Sequence, residues 1–372
     1  MKRAIDKQVH VWAGAWLRDR TRKALTPRPR GERHLLLAVC DHFEPLHGGA
    51  TRETGLARVR QWRDRLPLLA SRFRDDDGRP PRHTFFFPGE EYDPRFVEPL
   101  AEMVEMGLGE VEVHLHHDGD TRESLAEKIR ATVDVLSVHG VVPRRAGAPA
   151  WSFIHGNWSL ANGRPDGRWC GVDDELRVLH DLGCYADFTF PSAPDPCQPP
   201  VVNAIYYARD DSRRRAYDEA DLVTVGTPRR NRVLLVQGPL AVARRPGSAR
   251  LRIESSAISA NDPPSAARLA TWVEQWVHVE GRPEWTFVKL HAHGAPEANA
   301  SVMLGEPMAT FHEALRDLAQ GGRVGARWRV HYVTAREMYN VARAAMDGRD
   351  GSPAAWFDYE VPPPERAARR TS

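Results

Sequence analysis

Short apolar runs alternate with longer amphipathic stretches along most of this chain. Residues 34–39, 83–88, 111–116, 151–154 and 184–188 have the length and apolar content of strands. Helical spacing between them carries Trp62, Leu66 and Leu69, then Leu100 and Met103, then residues 125–136 and 174–182. From about residue 201 to 256 the pattern weakens into short apolar runs separated by charged or Gly/Pro turns, which reads as a β-rich insertion. The alternation then returns, with helices predicted over 266–279, 308–319 and 335–346 and strands over 286–290 and 329–333. Strands alternating with helices imply a parallel sheet, because each crossover needs a helix. About seven such strands fit an α/β fold built as a distorted (β/α) barrel over residues 34–347, followed by a polar tail over 348–372. Neither a Gly-x-Gly-x-x-Gly pattern nor a P-loop follows the first strand, which argues against a dinucleotide site.

Residues 1–33 stand apart. Val9, Val11, Trp12, Ala15, Trp16 and Leu17 form an apolar stripe, the basic side chains of Arg18, Arg20, Arg22 and Lys23 follow, and residues 27–31 have the composition of a linker. Such a segment suits either a helix packed on the outside of the domain or peripheral contact with an anionic membrane.

The formal net charge is +2, so no overall field argues for a nucleic-acid partner. The four cysteines, Cys40, Cys170, Cys184 and Cys197, form no Cys-x-x-Cys pair and read as reduced thiols. No run has the apolar length of a membrane span or of a signal peptide's core, so the expected location is cytoplasmic, with membrane association through the amino-terminal helix as the alternative.

The chemistry concentrates after the predicted strands. Val111, Val113 and Leu115 alternate with Glu112, His114 and His116, and His117 and Asp118 follow at once. Imidazoles and a carboxylate converging at a strand end suit a borderline divalent ion such as zinc. Other strands end in Asp41-His42-Phe43-Glu44, His155-Gly156-Asn157-Trp158, Asp187 and His291-Ala292-His293. Catalytic groups of a β/α barrel occupy these carboxyl ends.

These motifs resemble those of the polysaccharide deacetylases, metal-dependent carbohydrate esterases with a distorted β/α barrel. Val39-Cys40-Asp41-His42-Phe43-Glu44-Pro45 stands where that family has a strand followed by Thr-Phe-Asp-Asp-Gly-Pro. Residues 110–118 resemble its Glu-Ile-Gly-x-His-x-x-x-His motif, with the first histidine at His114 and the second position filled by Asp118. Val288-Lys289-Leu290-His291 resembles its late Leu-x-x-His motif. Histidine replaces the metal-binding aspartate at 42, and His155-Gly156-Asn157-Trp158 stands near the place of the family's arginine–proline motif.

Over residues 34–340 the resemblance implies a metal-dependent hydrolase that removes an acyl group from an amino sugar or glycan. Zinc would be held by His42, His114 and Asp118, with His116 as substitute or fourth ligand. Asp41 would be the base and His291 the general acid. His155 or Asn157 would steady the oxyanion, and Trp158 and Tyr185 would stack on a sugar. Two other readings stay open. One is a glycoside hydrolase on the same barrel, using Asp41 and Asp187 at about 5–9.5 Å; the other is a non-catalytic module binding a glycan or lipid carrier.

Overall fold

A computed structural model describes residues 8–226, 231–244, 250–321 and 327–368. Helix α1 (Val9–Leu25) precedes strand β1 (Arg33–His42) and helix α2 (Arg52–Ser71). Next come β2 (His83–Pro88), α3 (Pro94–Glu105), β3 (Gly109–Leu115), α4 (Arg122–Val138), β4 (Trp151–His155), α5 (Glu175–Asp181) and β5 (Cys184–Asp187). Short strands follow: β6 (Ile205–Ala208), β7 (Ala220–Leu222), β8 (Leu234–Val236), the hairpin β9 (Ala241–Arg244) and β10 (Leu251–Glu254), and β11 (Ala257–Ile258). Then come α6 (Ala266–Glu274), β12 (Trp285–Ala292), α7 (Glu297–Met303), α8 (Glu306–Ala319), β13 (Trp328–Tyr332) and α9 (Ala335–Met346), before a 3-10 turn (Pro353–Trp356) and a short helix (Glu365–Ala368).

All seven strands expected from the pattern lie in one large, mostly parallel sheet, ordered β11-β12-β1-β2-β3-β4-β5-β8-β6-β7. β13 joins it by sharing an edge of β1: residues 33–37 of β1 pair with β13, and residues 40–42 pair with β2. Within the region read as an insertion, β8 is a member of this sheet, parallel to β5, and β6 and β7 extend it in antiparallel register. Only the β9–β10 hairpin stands off it as a separate pair.

Alternation along the strands sorts side chains to two faces. Leu35, Leu37 and Val39 of β1, with Val111, Val113 and Leu115 of β3, share a core with Val59 and Trp62 of α2, Leu100 of α3, Leu125 of α4, Leu176 of α5 and Trp272 of α6. Leu36, Ala38 and Cys40, with Phe86, Ile154 and Phe287, share a different core with α9. The polar end of the first strand follows the same rule. His42 continues the second face, whereas Asp41 continues the first.

α9 has the bounds expected from the sequence. All twelve of its residues are buried, against the second face of the sheet. The charges of Arg336, Glu337 and Arg343 are each matched inside. Arg336 reaches Glu110 with Nε at 3.1 Å and Nη2 at 2.8 Å, and Arg343 Nε meets Glu360 at 2.8 Å. Glu337 pairs with Arg79 and Arg82. The segment expected as a loose tail supplies part of this lining: Phe357 and Val361 are buried, and their carbonyl oxygens accept from Arg336 and Asn340.

α1 is docked rather than free. Trp12 is fully buried with Ala193, Val202 and Leu240. Trp16 Nε1 donates to Gln275 at 3.0 Å, and buried Lys23 donates to the Gln275 carbonyl at 2.6 Å. The tryptophans that would have entered a bilayer therefore pack inward. Among the described residues, no helix is long and apolar enough to cross a membrane.

Candidate metal centre

Among the described residues, three groups of side chains have the donors and spacing to hold a metal ion: His42, Glu44 and His114; Glu44, His47 and His293; and His117, His155, Cys170 and Glu175. The first two share Glu44 and form one cluster at the carboxyl ends of β1, β3 and β12.

Glu44 is its centre. Its Oε1 lies 3.3 Å from His114 Nε2, 3.4 Å from His293 Nδ1 and 3.6 Å from His116 Nε2, while Oε2 is hydrogen-bonded to His47 Nδ1. Burial alone would raise the pKa of this carboxyl, but the hydrogen bonds from His114, His293 and His47 hold it far below the usual range. His42 stands beside it, with ring centroids 4.6 Å from His293 and 4.9 Å from His114. Burial and the neighbouring imidazoles hold His42 well below its ordinary pKa, so its ring is neutral. Its Nε2 is buried and has no hydrogen-bond partner. An unpartnered imidazole nitrogen on His42, beside an ionised carboxylate and further imidazoles, makes a group that could hold a divalent transition metal. The orientation of His114 fits too, because its Nδ1 lies 2.8 Å from the Ile154 carbonyl and leaves Nε2 for the cluster.

Around the cluster lies a cleft of about 430 Å³, lined by His42, Glu44, Glu91, His116, Asn157, Trp158 and His293, among others. His116 is partly exposed there, and its Nδ1 lies 2.6 Å from Glu90. Burial would lower its pKa, but the hydrogen bond and charge of Glu90 leave it raised. Glu91, whose Oε2 accepts the Leu46 N–H at 2.6 Å, is pushed up to about 7 by burial. A neighbouring cleft of about 540 Å³ is lined by His291, His293 and Trp158 on one side and Ser192 to Pro196 on the other. A larger cavity of about 660 Å³, lined by Phe73, Asp75, His312 and Tyr332, contains none of the clustered donors.

Of the residues singled out from sequence, His42, His116, His291, Asn157 and Trp158 line these clefts, and His114 is buried behind them against Glu44. His291 is held well below its ordinary pKa by burial and by Lys289, and its Nδ1 has no partner. Asp41, expected as the base, points to the helix-covered face. Its oxygens take His83 Nε2 at 2.8 Å and the Gly294 N–H at 2.6 Å. Asp118, expected as a ligand, is exposed and accepts the Trp169 N–H at 2.6 Å. His155 belongs to the third group, with Glu175, rather than to the cleft. Tyr185 is buried against Tyr339 and donates to Glu112, so it offers no surface to a sugar. Asp187 is buried with both oxygens engaged by Thr189; neither it nor Asp41 lines either cleft, so the glycosidase pairing is not presented.

Glu44 and His293 stand in the strand-end runs read from the sequence but were given no role there; they lie two residues beyond His42 and His291 and so share their face. Glu90 and Glu91 were not singled out; they follow β2 after Gly89, where the strand-end rule applied to that strand would have found them. Comparison of the chain with protein-family models gave no match, and comparison with curated proteins gave none either.

Proposed function

We propose that the protein is a metal-dependent hydrolase that removes an acyl group, most simply acetyl, from an amino sugar or glycan, on a sheet curled into a distorted barrel. The observation that carries the reading is Glu44 ringed by imidazoles at the floor of an open cleft. One helix, α9, sharing a core with strands from β12 through β8 supports the curl.

His42, Glu44 and His114 would hold the ion, with His293 and His116 within reach of it; zinc suits this donor set. A bound divalent ion supplies charge that polarises a carbonyl and acidifies a water. The remaining work falls to side chains of the cleft wall. Glu91, near neutrality, takes a proton from water at physiological pH. His116, whose pKa Glu90 raises, is placed to give one to the leaving nitrogen or oxygen. That role was expected of His291, but burial keeps His291 uncharged and suits it to accepting a hydrogen bond. Trp158 borders both clefts and offers a ring face on which a sugar stacks, and Asn157 adds an amide to the first cleft.

Hydrolysis of N-acetylated amino sugars, set beside hydrolysis of aryl glycosides, tests the reading. Acetate release without glycoside cleavage supports it. Glycoside cleavage without acetate release would replace it with the glycosidase reading.

A further inference from the structure

On the other face of the same strand ends lies the group His117, His155, Cys170 and Glu175, all buried, with ligand atoms within 4.8 Å of one another. We propose that this group binds a second, structural transition-metal ion of the zinc type, separate from the cleft.

The donor atoms are spaced closely enough to share one ion. Around zinc, ligand bonds of about 2.0–2.3 Å place donor atoms roughly 3.3–3.8 Å apart. Glu175 Oε1 lies 3.1 Å from His117 Nε2 and 3.6 Å from His155 Nε2, and Glu175 Oε2 lies 3.4 Å from Cys170 Sγ. His155 Nε2 is buried, aimed into this space and without a hydrogen-bond partner.

Both imidazoles are held as metal ligands are held. His117 Nδ1 lies 3.0 Å from the Asp120 carboxylate, and His155 Nδ1 meets the Gly156 carbonyl. A ligating histidine characteristically gives its other nitrogen to a carboxylate or carbonyl, which fixes the tautomer. Asp120 is itself anchored by Lys128 at 2.7 Å and Ser124 at 2.6 Å. Cys170 Sγ is held in place by the N–H groups of Asn162 and Val172, at 3.2 Å and 3.4 Å. Burial and the charge of Glu175 push its thiol up, so binding an ion there would release the thiol proton. Gly171 permits the approach, since a Cβ there would lie 2.7 Å from the Asp120 backbone.

Such an ion would tie α5 and the loop before it to the ends of β3 and β4. Asn157, Trp158, Ala161, Asn162 and Trp169 in this loop all have positive φ, a conformation non-glycine residues keep only when the surroundings impose it. Because Asn157 and Trp158 also wall the cleft, the ion would position the substrate platform without touching the substrate.

Cobalt(II) replacement of the native metal in the full chain tests this, since only this group contains sulfur. The wild-type protein should bind about two equivalents and show a thiolate-to-cobalt charge-transfer band. Cys170→Ser should lose the band and about one equivalent, whereas His114→Ala should keep the band and lose the other equivalent. Absence of the band from folded, cobalt-loaded wild type would overturn the proposal, as would its persistence in C170S. Should C170S fail to fold, zinc-edge X-ray absorption of the wild type decides. Sulfur beside the zinc supports the site, and a shell of nitrogen and oxygen alone overturns it. A failure here leaves the Glu44 cluster intact, because H114A reports on that cluster separately.

Discussion

Gly156 and His116 lie so close that a Cβ on the glycine would fall 2.3 Å from the imidazole Cδ2 and 2.8 Å from the Leu115 carbonyl oxygen. Gly156→Ala should therefore push His116 away from Glu44 and Glu90. Displacing a catalytic group by about 1 Å costs of the order of 10²-fold in rate. Acetate release by G156A should fall by about that factor while metal bound through His42, Glu44 and His114 is retained. Wild-type turnover in G156A would remove His116 from the chemistry.

The buried ion pair of α9 makes a stability prediction. Arg336 and Glu110 are nearly inaccessible and joined by more than one hydrogen bond. Arg336→Met would leave Glu110 charged in the core without its main partner. Breaking a buried pair on one side costs about 3–5 kcal/mol. Urea unfolding of R336M should show a loss in that range. A change below about 1 kcal/mol, as expected of a surface pair, would contradict the burial of this helix.

His312 gives the molecule an acid limb. It sits at the Phe73 ring with Nδ1 2.9 Å from the Tyr332 hydroxyl, and burial pushes its pKa down to about 3. The unfolded side chain titrates near 6.5. Between these values the unfolded chain binds a proton that the folded chain does not. Stability from this group is full above about pH 6.5 and is lost as pH falls toward about 3. His312→Gln should lose less stability than wild type between pH 7 and 5, measured by urea midpoints. Equal losses would place the acid sensitivity elsewhere.

Trp12 separates a packed amino-terminal helix from a membrane anchor. It is fully buried against Val202 and Leu240. Trp12→Ala should cost about 3–5 kcal/mol, the range for removing a large aromatic from a core. The full chain should not sediment with anionic vesicles. Vesicle binding abolished by W12A, with the melting temperature unchanged, would instead restore the membrane role.

Much of the parallel sheet was legible because its strands announce themselves. Most of the seven predicted runs are short and rich in apolar residues, and the third gives itself away by alternating Val111, Val113 and Leu115 with Glu112, His114 and His116. The bounds of α9 were legible but its burial was not, because the partners of Arg336, Glu337 and Arg343, namely Glu110, Arg79, Arg82 and Glu360, lie elsewhere in the sequence. Glu44 and His114 are likewise apart in sequence, a pair that only the sheet brings together. Asp41 was misassigned for a local reason: one step along a strand reverses the face, so Asp41 and His42 cannot serve the same cleft. Asp118 lay past the end of β3, where alternation no longer fixes direction.

If metal held around Glu44 drives acyl hydrolysis, acetate release must follow chelation and zinc refilling. Wild-type protein should lose activity on chelation and regain it with zinc, while Glu44→Ala should remain inactive at every zinc level and still fold. Acetate release that survives complete removal of metal, or that zinc restores equally in E44A, would contradict the account.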